Sequence, residues 1–163
     1  MYDTQVDSAD FRAAMAQFPS GVTIVTARDG DGLPAGFTAS AFSSLSLNPP
    51  LVLVCLQKDA DCYAAFSNAE AMGISILAAG QSEIAMRFAT RGADKFGPGG
   101  LDDGDLTGNP LVAGATVRME CEIVDRPDGG DHTILVGRVL RAHTADLEPM
   151  IHYNRKFGRH LPD

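Results

Sequence analysis

Apolar positions open the chain at helical spacing and then shift to strand-like runs. Phe11, Met15 and Phe18 fall at i, i+4 and i+7, one face over two turns, with Asp7 or Ser8 placed to cap the start. Pro19-Ser20-Gly21 ends that helix. The β-branched run Val22–Ala27 predicts a strand, the Asp-Gly pairs of Arg28–Gly32 a turn, and Leu33–Ser40 the returning arm of a hairpin. Strands follow at Ser43–Leu47 and Leu51–Gln57, joined by Asn48-Pro49-Pro50. Asp59–Ala69 has helical spacing, Met72–Leu77 reads as a strand, and Gln81–Thr90 as a helix carrying Ile84 and Phe88 on one face. Arg91–Asn109 is rich in Gly and Asp and reads as a long surface loop, which in a compact domain is usually functional or mobile. In Val117–Ile123 apolar residues alternate with charges, predicting one buried and one wet face. A turn at Pro127–Asp131, a strand at Thr133–Leu140 and an aromatic, basic tail at Pro149–His160 complete the chain.

These are about seven strands and three short helices, mostly in hairpin order. Consecutive short strands favour a barrel over a doubly wound sheet, so the fold expected is mainly β with short helices. The 163 residues make a single domain, 1–163, large enough for a real core.

Composition narrows the function. A net charge of −8 argues against nucleic acid or an anionic membrane as partner, because both need a basic footprint. The three cysteines, Cys55, Cys62 and Cys121, form no CxxC or Cys/His pair, so no metal site is expected. The polar Met1 end and the lack of a membrane-length apolar run predict a soluble, cytoplasmic protein. There is no GxGxxG after the first strand, no GxxxxGK[ST], no GxSxG and no HExxH, so any nucleotide chemistry uses another frame.

The stretch Gly36–Pro50 stands out. Thr38, Ser40, Ser43, Ser44 and Ser46 place five hydroxyls within nine residues, just before the very apolar Leu51–Leu56. Buried hydroxyls need partners, and a plain loop would not lead straight into such a strand. The segment therefore reads as the lining of something polar and flat, although a Ser/Thr-rich strand edge making local hydroxyl–backbone bonds has the same composition.

Four blocks in order, GFTASAFSSLSLNPPLVLVCLQK, RFATRGADKF, GGDHTILVGRV and MIHYNRKF, resemble the short-chain flavin reductases, the reductase components of two-component flavin-dependent monooxygenases. The resemblance runs from about Phe11 to Phe157. It implies an FMN-binding split β-barrel, Greek-key-like and homodimeric. The implied activity is transfer of hydride from NADH or NADPH to free FMN or FAD, with the reduced flavin passed to an oxygenase partner. By the same resemblance Gly36, Thr38, Ala39, Ser40, Ser43 and Ser44 lie along the flavin ring with Cys55 and Gln57, and Phe88 and Ala89 near its edge. The flavin phosphate is expected at Lys58–Cys62. There the family's usual hydroxyls are replaced by Ala60 and Cys62, Asp59 and Asp61 add negative charge, and Lys58 is the favourable cation. His132 is implied as the catalytic residue beside the nicotinamide, and His152, Tyr153, Asn154 and Arg155 as further nicotinamide contacts. In the tail Asn154 stands where the family commonly has Arg. A non-catalytic flavin carrier on the same barrel, a split-barrel oxidoreductase acting on a pyridoxine phosphate or a deazaflavin, and a binding module without cofactor are the rival readings.

Overall fold

The computed structural model describes residues 4–161. Helix α1 (Ser8–Met15) starts at Asp7, whose carboxylate accepts a hydrogen bond from the Ala9 N–H at 2.7 Å. Its apolar face is not covered: Phe11, Met15 and Phe18 are 54%, 54% and 75% exposed. Strands β1 (Ser20–Gly21), β2 (Thr23–Arg28) and β3 (Pro34–Ala39) follow. The β2–β3 turn closes because the Asp29 carboxylate accepts from the Asp31 and Leu33 amides and Gly32 supplies a φ of 79°. Next come β4 (Phe42–Ser46), β5 (Leu51–Gln57), α2 (Tyr63–Asn68), β6 (Ala71–Ile76) and α3 (Ser82–Ala89). The last part holds β7 (Leu101–Asp103), β8 (Pro110–Val112), β9 (Val117–Asp125), β10 (Asp128–Gly129), β11 (His132–Thr144), β12 (Met150–Tyr153) and β13 (Lys156–Arg159). No helix is long and apolar enough to cross a membrane.

The main sheet runs β3-β2-β6-β9-β11-β5-β4, with β10 beside β11. Its two outermost strands, β3 and β4, are consecutive in the chain and joined only by Ser40 and Ala41. A sheet whose ends lie that close along the chain has to curl back on itself, and because β3 and β4 form no ladder the barrel stays split there. This is the mainly β split barrel expected, and Ser40–Ala41 marks the split.

Two cores hold it. The inner one contains Val25, Phe37, Val54, Leu56, Met72, Ile74, Cys121 and Leu135, with Phe66 of α2 meeting Phe37 edge-on at 5.2 Å. The outer one joins Ile24, Leu77, Ile84, Phe88, Val112 and Met150. It fixes α3, β8 and the β12–β13 hairpin to the barrel wall.

Two sequence expectations change. Residues 91–109 are not structureless. They contain β7, which pairs with β8, and ion pairs from three barrel strands fasten them: Arg28–Asp103 at 2.7 Å, Arg118–Asp102 at 3.1 Å and Arg141–Asp105 at 2.6 Å. The wet face expected for Val117–Ile123 fails at Glu120, which is 2% exposed. One of its carboxylate oxygens accepts from the Leu106 and Thr107 amides and the Thr107 hydroxyl, so a charge that alternation assigns to water instead closes the loop.

Candidate active site

The site is built on strand alternation in β5. Val52, Val54 and Leu56 point into the barrel, leaving Leu53, Cys55 and Gln57 on the outer face. That outer face floors two cavities which share Cys55. The first, about 220 Å³, lies over Cys55 and Gln57 and is lined also by Thr38, Cys62, Phe88, Ala89, Lys95 and His132. The second, about 570 Å³, lies over Leu53 and Cys55 among Phe11, Met15, Ser40, Phe42, Ser43, His152 and Arg155.

Beside this floor runs the open edge of β3. The bond from Asp29 N–H to Leu33 C=O sets the phase of the β2–β3 ladder. In antiparallel pairing the bonded pairs alternate, so Ala35 and Phe37 bond to β2. Pro34, Gly36 and Thr38 therefore turn their backbone polar groups outward. The Gly36 carbonyl does so visibly, accepting from the Lys95 ammonium at 3.1 Å. Close packing requires glycine here: a Cβ on Gly36 would stand 2.8 Å from the Phe88 ring and 2.9 Å from the Val25 carbonyl.

The hydroxyls that drew attention in the sequence are partly spoken for. Thr38 donates to the Ala85 carbonyl of α3, and Ser43 to the Ser44 carbonyl at 2.8 Å. Ser40 and Ser43 line the second cavity, while Ser44 is exposed and lines neither. Ala39 turns its side chain into the inner core, and its carbonyl accepts from the Thr23 hydroxyl at 2.9 Å. What the stretch offers the groove is thus mainly backbone.

Charge is placed differently from the expectation. Lys58 is ion-paired with Asp128 and lines a separate cavity with Tyr63, Phe66 and Arg126. The Asp128 hydrogen bond holds the Lys58 ammonium above its ordinary pKa, so Lys58 is committed outside the groove. The cations that line the first cavity are Arg91, held by Asp59 at 2.9 Å, and Lys95, which has no carboxylate partner among the described residues. Both were missed. Their signal was the RFATRGADKF block, where Asp94-Lys95 reads as easily as a surface pair. Cys62 is buried at the start of α2 and makes no side-chain cap there. Burial pushes its thiol up in spite of nearby Lys95, and burial also pushes up the half-buried Cys55.

His132 lies opposite Gln57 in the β11–β5 ladder, with Nδ1 2.7 Å from the Asp131 carboxylate. That contact lowers the Asp131 pKa and leaves Nε2 as the ring's other polar atom. The four tail residues divide. His152 and Arg155 line the second cavity. Asn154 and Arg155, at φ 47° and 63°, form the β12–β13 turn. That turn is tied to α1 by Asn154 N–H to the Ala16 carbonyl at 2.9 Å and by the Tyr153 hydroxyl to Gln17 at 3.1 Å. His132 and the His152–Arg155 pair therefore stand at opposite ends of one groove and meet across Cys55.

An outer strand face beside an unpaired strand edge, with cations at both ends, suits a flat, hydrogen-bonding heterocycle that carries a phosphate. Residues 15–160 match the flavin reductase like domain, and the chain belongs to that family. It is 40% identical over 157 residues to the reductase component of a 4-nitrophenol 4-monooxygenase/4-nitrocatechol 2-monooxygenase of Rhodococcus opacus, covering 96% of this chain and 83% of that one. It is 39% identical over 162 residues to an NADH-dependent FAD reductase of Streptomyces globisporus, covering 96% and 88%. Among solved structures, the Streptomyces globisporus C-1027 NADH:FAD oxidoreductase in complex with NAD and FAD fragments superposes with a TM-score of 0.90 at 38% identity, covering 98% of each chain.

Proposed function

We propose that this chain is an NAD(P)H-dependent flavin reductase that reduces free FMN or FAD and supplies the reduced flavin to a flavin-dependent oxygenase. The observation that carries the reading is the open edge of β3, with Gly36 and Thr38 facing outward, set beside the outward Cys55 and Gln57 of β5. When bound, the flavin supplies the hydride-accepting chemistry. The protein's part is to bind and orient. Backbone groups of Gly36 and Thr38 hydrogen-bond the ring's polar edge, Lys95 and Arg91 take the phosphate, and His132 positions the nicotinamide from β11. His152 and Arg155 extend the nicotinamide site into the second cavity. Rate then comes from holding two reactants in contact and out of water.

The relatives' names support the oxygenase partner and NADH as donor. A homodimer belongs to the same reading. Its support is the uncovered face of Phe11, Met15 and Phe18 beside the second cavity, which a second copy would bury. A cytoplasmic location fits three free cysteines.

Crossing FMN and FAD with NADH and NADPH in a steady-state assay tests the activity, and sedimentation tests the dimer. Catalytic turnover of free flavin is expected. Flavin that binds but is not reduced on mixing with either nicotinamide would make the chain a carrier instead.

A further inference from the structure

We infer that a third cavity, next to the phosphate end of the groove, is an adenylate subsite, and that FAD is therefore bound more tightly than FMN. The inference rests on the reading of the groove as a flavin site. The cavity measures about 370 Å³, within the range of small-molecule sites. It lies between Pro34–Gly36 of β3 and Gly92–Phe96 of the following loop, and shares Asp61, Cys62 and Lys95 with the first cavity.

FAD differs from FMN by an adenylate joined to the phosphate. A site for it has to open directly beyond the cation that holds that phosphate. Lys95 occupies this position, since it lines both cavities. It spends one N–H on the Gly36 carbonyl, and an ammonium has three. Arg91 adds a second cation at the first cavity, as a diphosphate needs.

The open edge of β3 also matches the base. The ladder phase leaves the Pro34 carbonyl and the Gly36 N–H facing away from β2, and the Lys95 contact shows that this edge faces the loop across the cavity. A carbonyl at one residue and an N–H two residues on present an acceptor next to a donor. Adenine carries the complementary pair side by side, its exocyclic amine and its ring N1. FMN leaves both backbone groups to water. Ala35, Ala93 and the Phe96 ring supply apolar wall for the base.

The test is a series of dissociation constants for riboflavin, FMN and FAD, read by flavin fluorescence without nicotinamide. FAD is expected to bind at least about tenfold more tightly than FMN. Ala93→Trp fills the cavity outside the flavin groove. It is expected to weaken FAD about tenfold or more while FMN affinity and FMN turnover stay unchanged. Ala93→Phe, a smaller filler, should act in the same direction if the tryptophan variant folds poorly. FAD binding no tighter than FMN, or equal losses for both flavins in these variants, would overturn the subsite alone. Failure of all three flavins to bind would overturn the flavin reading and the subsite with it.

Discussion

The Lys95 ammonium donates to the Gly36 carbonyl at 3.1 Å, tying the loop after α3 to the open edge of β3 at the boundary between two cavities. If its remaining N–H groups meet the flavin phosphate, Lys95→Met removes a charge-assisted bond of about 1.5–3 kcal/mol. FMN affinity should fall by about tenfold to a hundredfold. Riboflavin, which has no phosphate, should be unaffected, and titration of both ligands separates this from simple displacement of the loop.

Gly36 and Phe88 are in contact because no Cβ intervenes. Gly36→Ala pushes a methyl into the Phe88 ring and the Val25 carbonyl. Overpacking of this kind costs about 1–3 kcal/mol. A lower urea midpoint is expected, together with weaker flavin binding, since Phe88 lines the first cavity. Unchanged stability would show that the ring moves aside freely.

Glu120 makes the loop over residues 104–109 sensitive to pH. Burial pushes its carboxyl up, but the Thr107 and Leu106 amides, the Thr107 hydroxyl and the Arg141 charge pull it down further, so it sits below its ordinary value. A carboxyl lowered on folding contributes stability that is present above its unfolded pKa and lost as pH falls through the folded one. Glu120→Gln should destabilise the protein by about 1–3 kcal/mol at pH 7. Denaturation curves for wild type and variant should converge in acid below about pH 4, near the unfolded carboxyl pKa. A gap independent of pH would mean that shape, not charge, closes the loop.

His132 and Arg155 stand at opposite ends of the groove and are expected to bind the nicotinamide rather than move protons. His132→Asn and Arg155→Ala should each raise the KM for NADH about tenfold, with a smaller change in the KM for flavin. A collapse of kcat with KM unchanged in His132→Asn would instead make this ring part of the chemical step.

The three thiols should differ in reactivity. Burial, with Glu120 beside it, pushes Cys121 up to about 12, and Cys62 is buried as well, whereas Cys55 is half-buried on the groove floor. Iodoacetamide at mildly alkaline pH should label Cys55 first, identifiable by peptide mass, and saturating flavin should slow that labelling several-fold. First labelling at Cys62 would place the groove floor elsewhere.

Local chemistry made much of the fold legible. Leu51–Gln57 emerges with its predicted bounds because seven residues in a row prefer the strand, and Pro49-Pro50 cannot continue the β4 ladder. The Asp29 turn and the Asp7 cap were readable because each acts on amides within four residues. Lys58 was misread because its partner, Asp128, lies seventy positions away in sequence. The order within residues 91–109 was hidden for the same reason, since Arg28, Arg118, Arg141 and Glu120 reach it from distant strands.

By itself, then, the sequence determined the number and order of the strands, the family to which its four blocks belong and the stretch Gly36–Ser44 as part of a site. Periodicity, turn chemistry and short motifs are properties of neighbouring residues. Only the tertiary structure decided what that stretch contributes. Its hydroxyls largely bond within the protein, and the groove receives the unpaired backbone of Gly36 and Thr38 instead, because curling the sheet leaves β3 without a partner at the split. The cation facing that edge, Lys95 rather than Lys58, was likewise decided by which distant strands hold the loop that carries it.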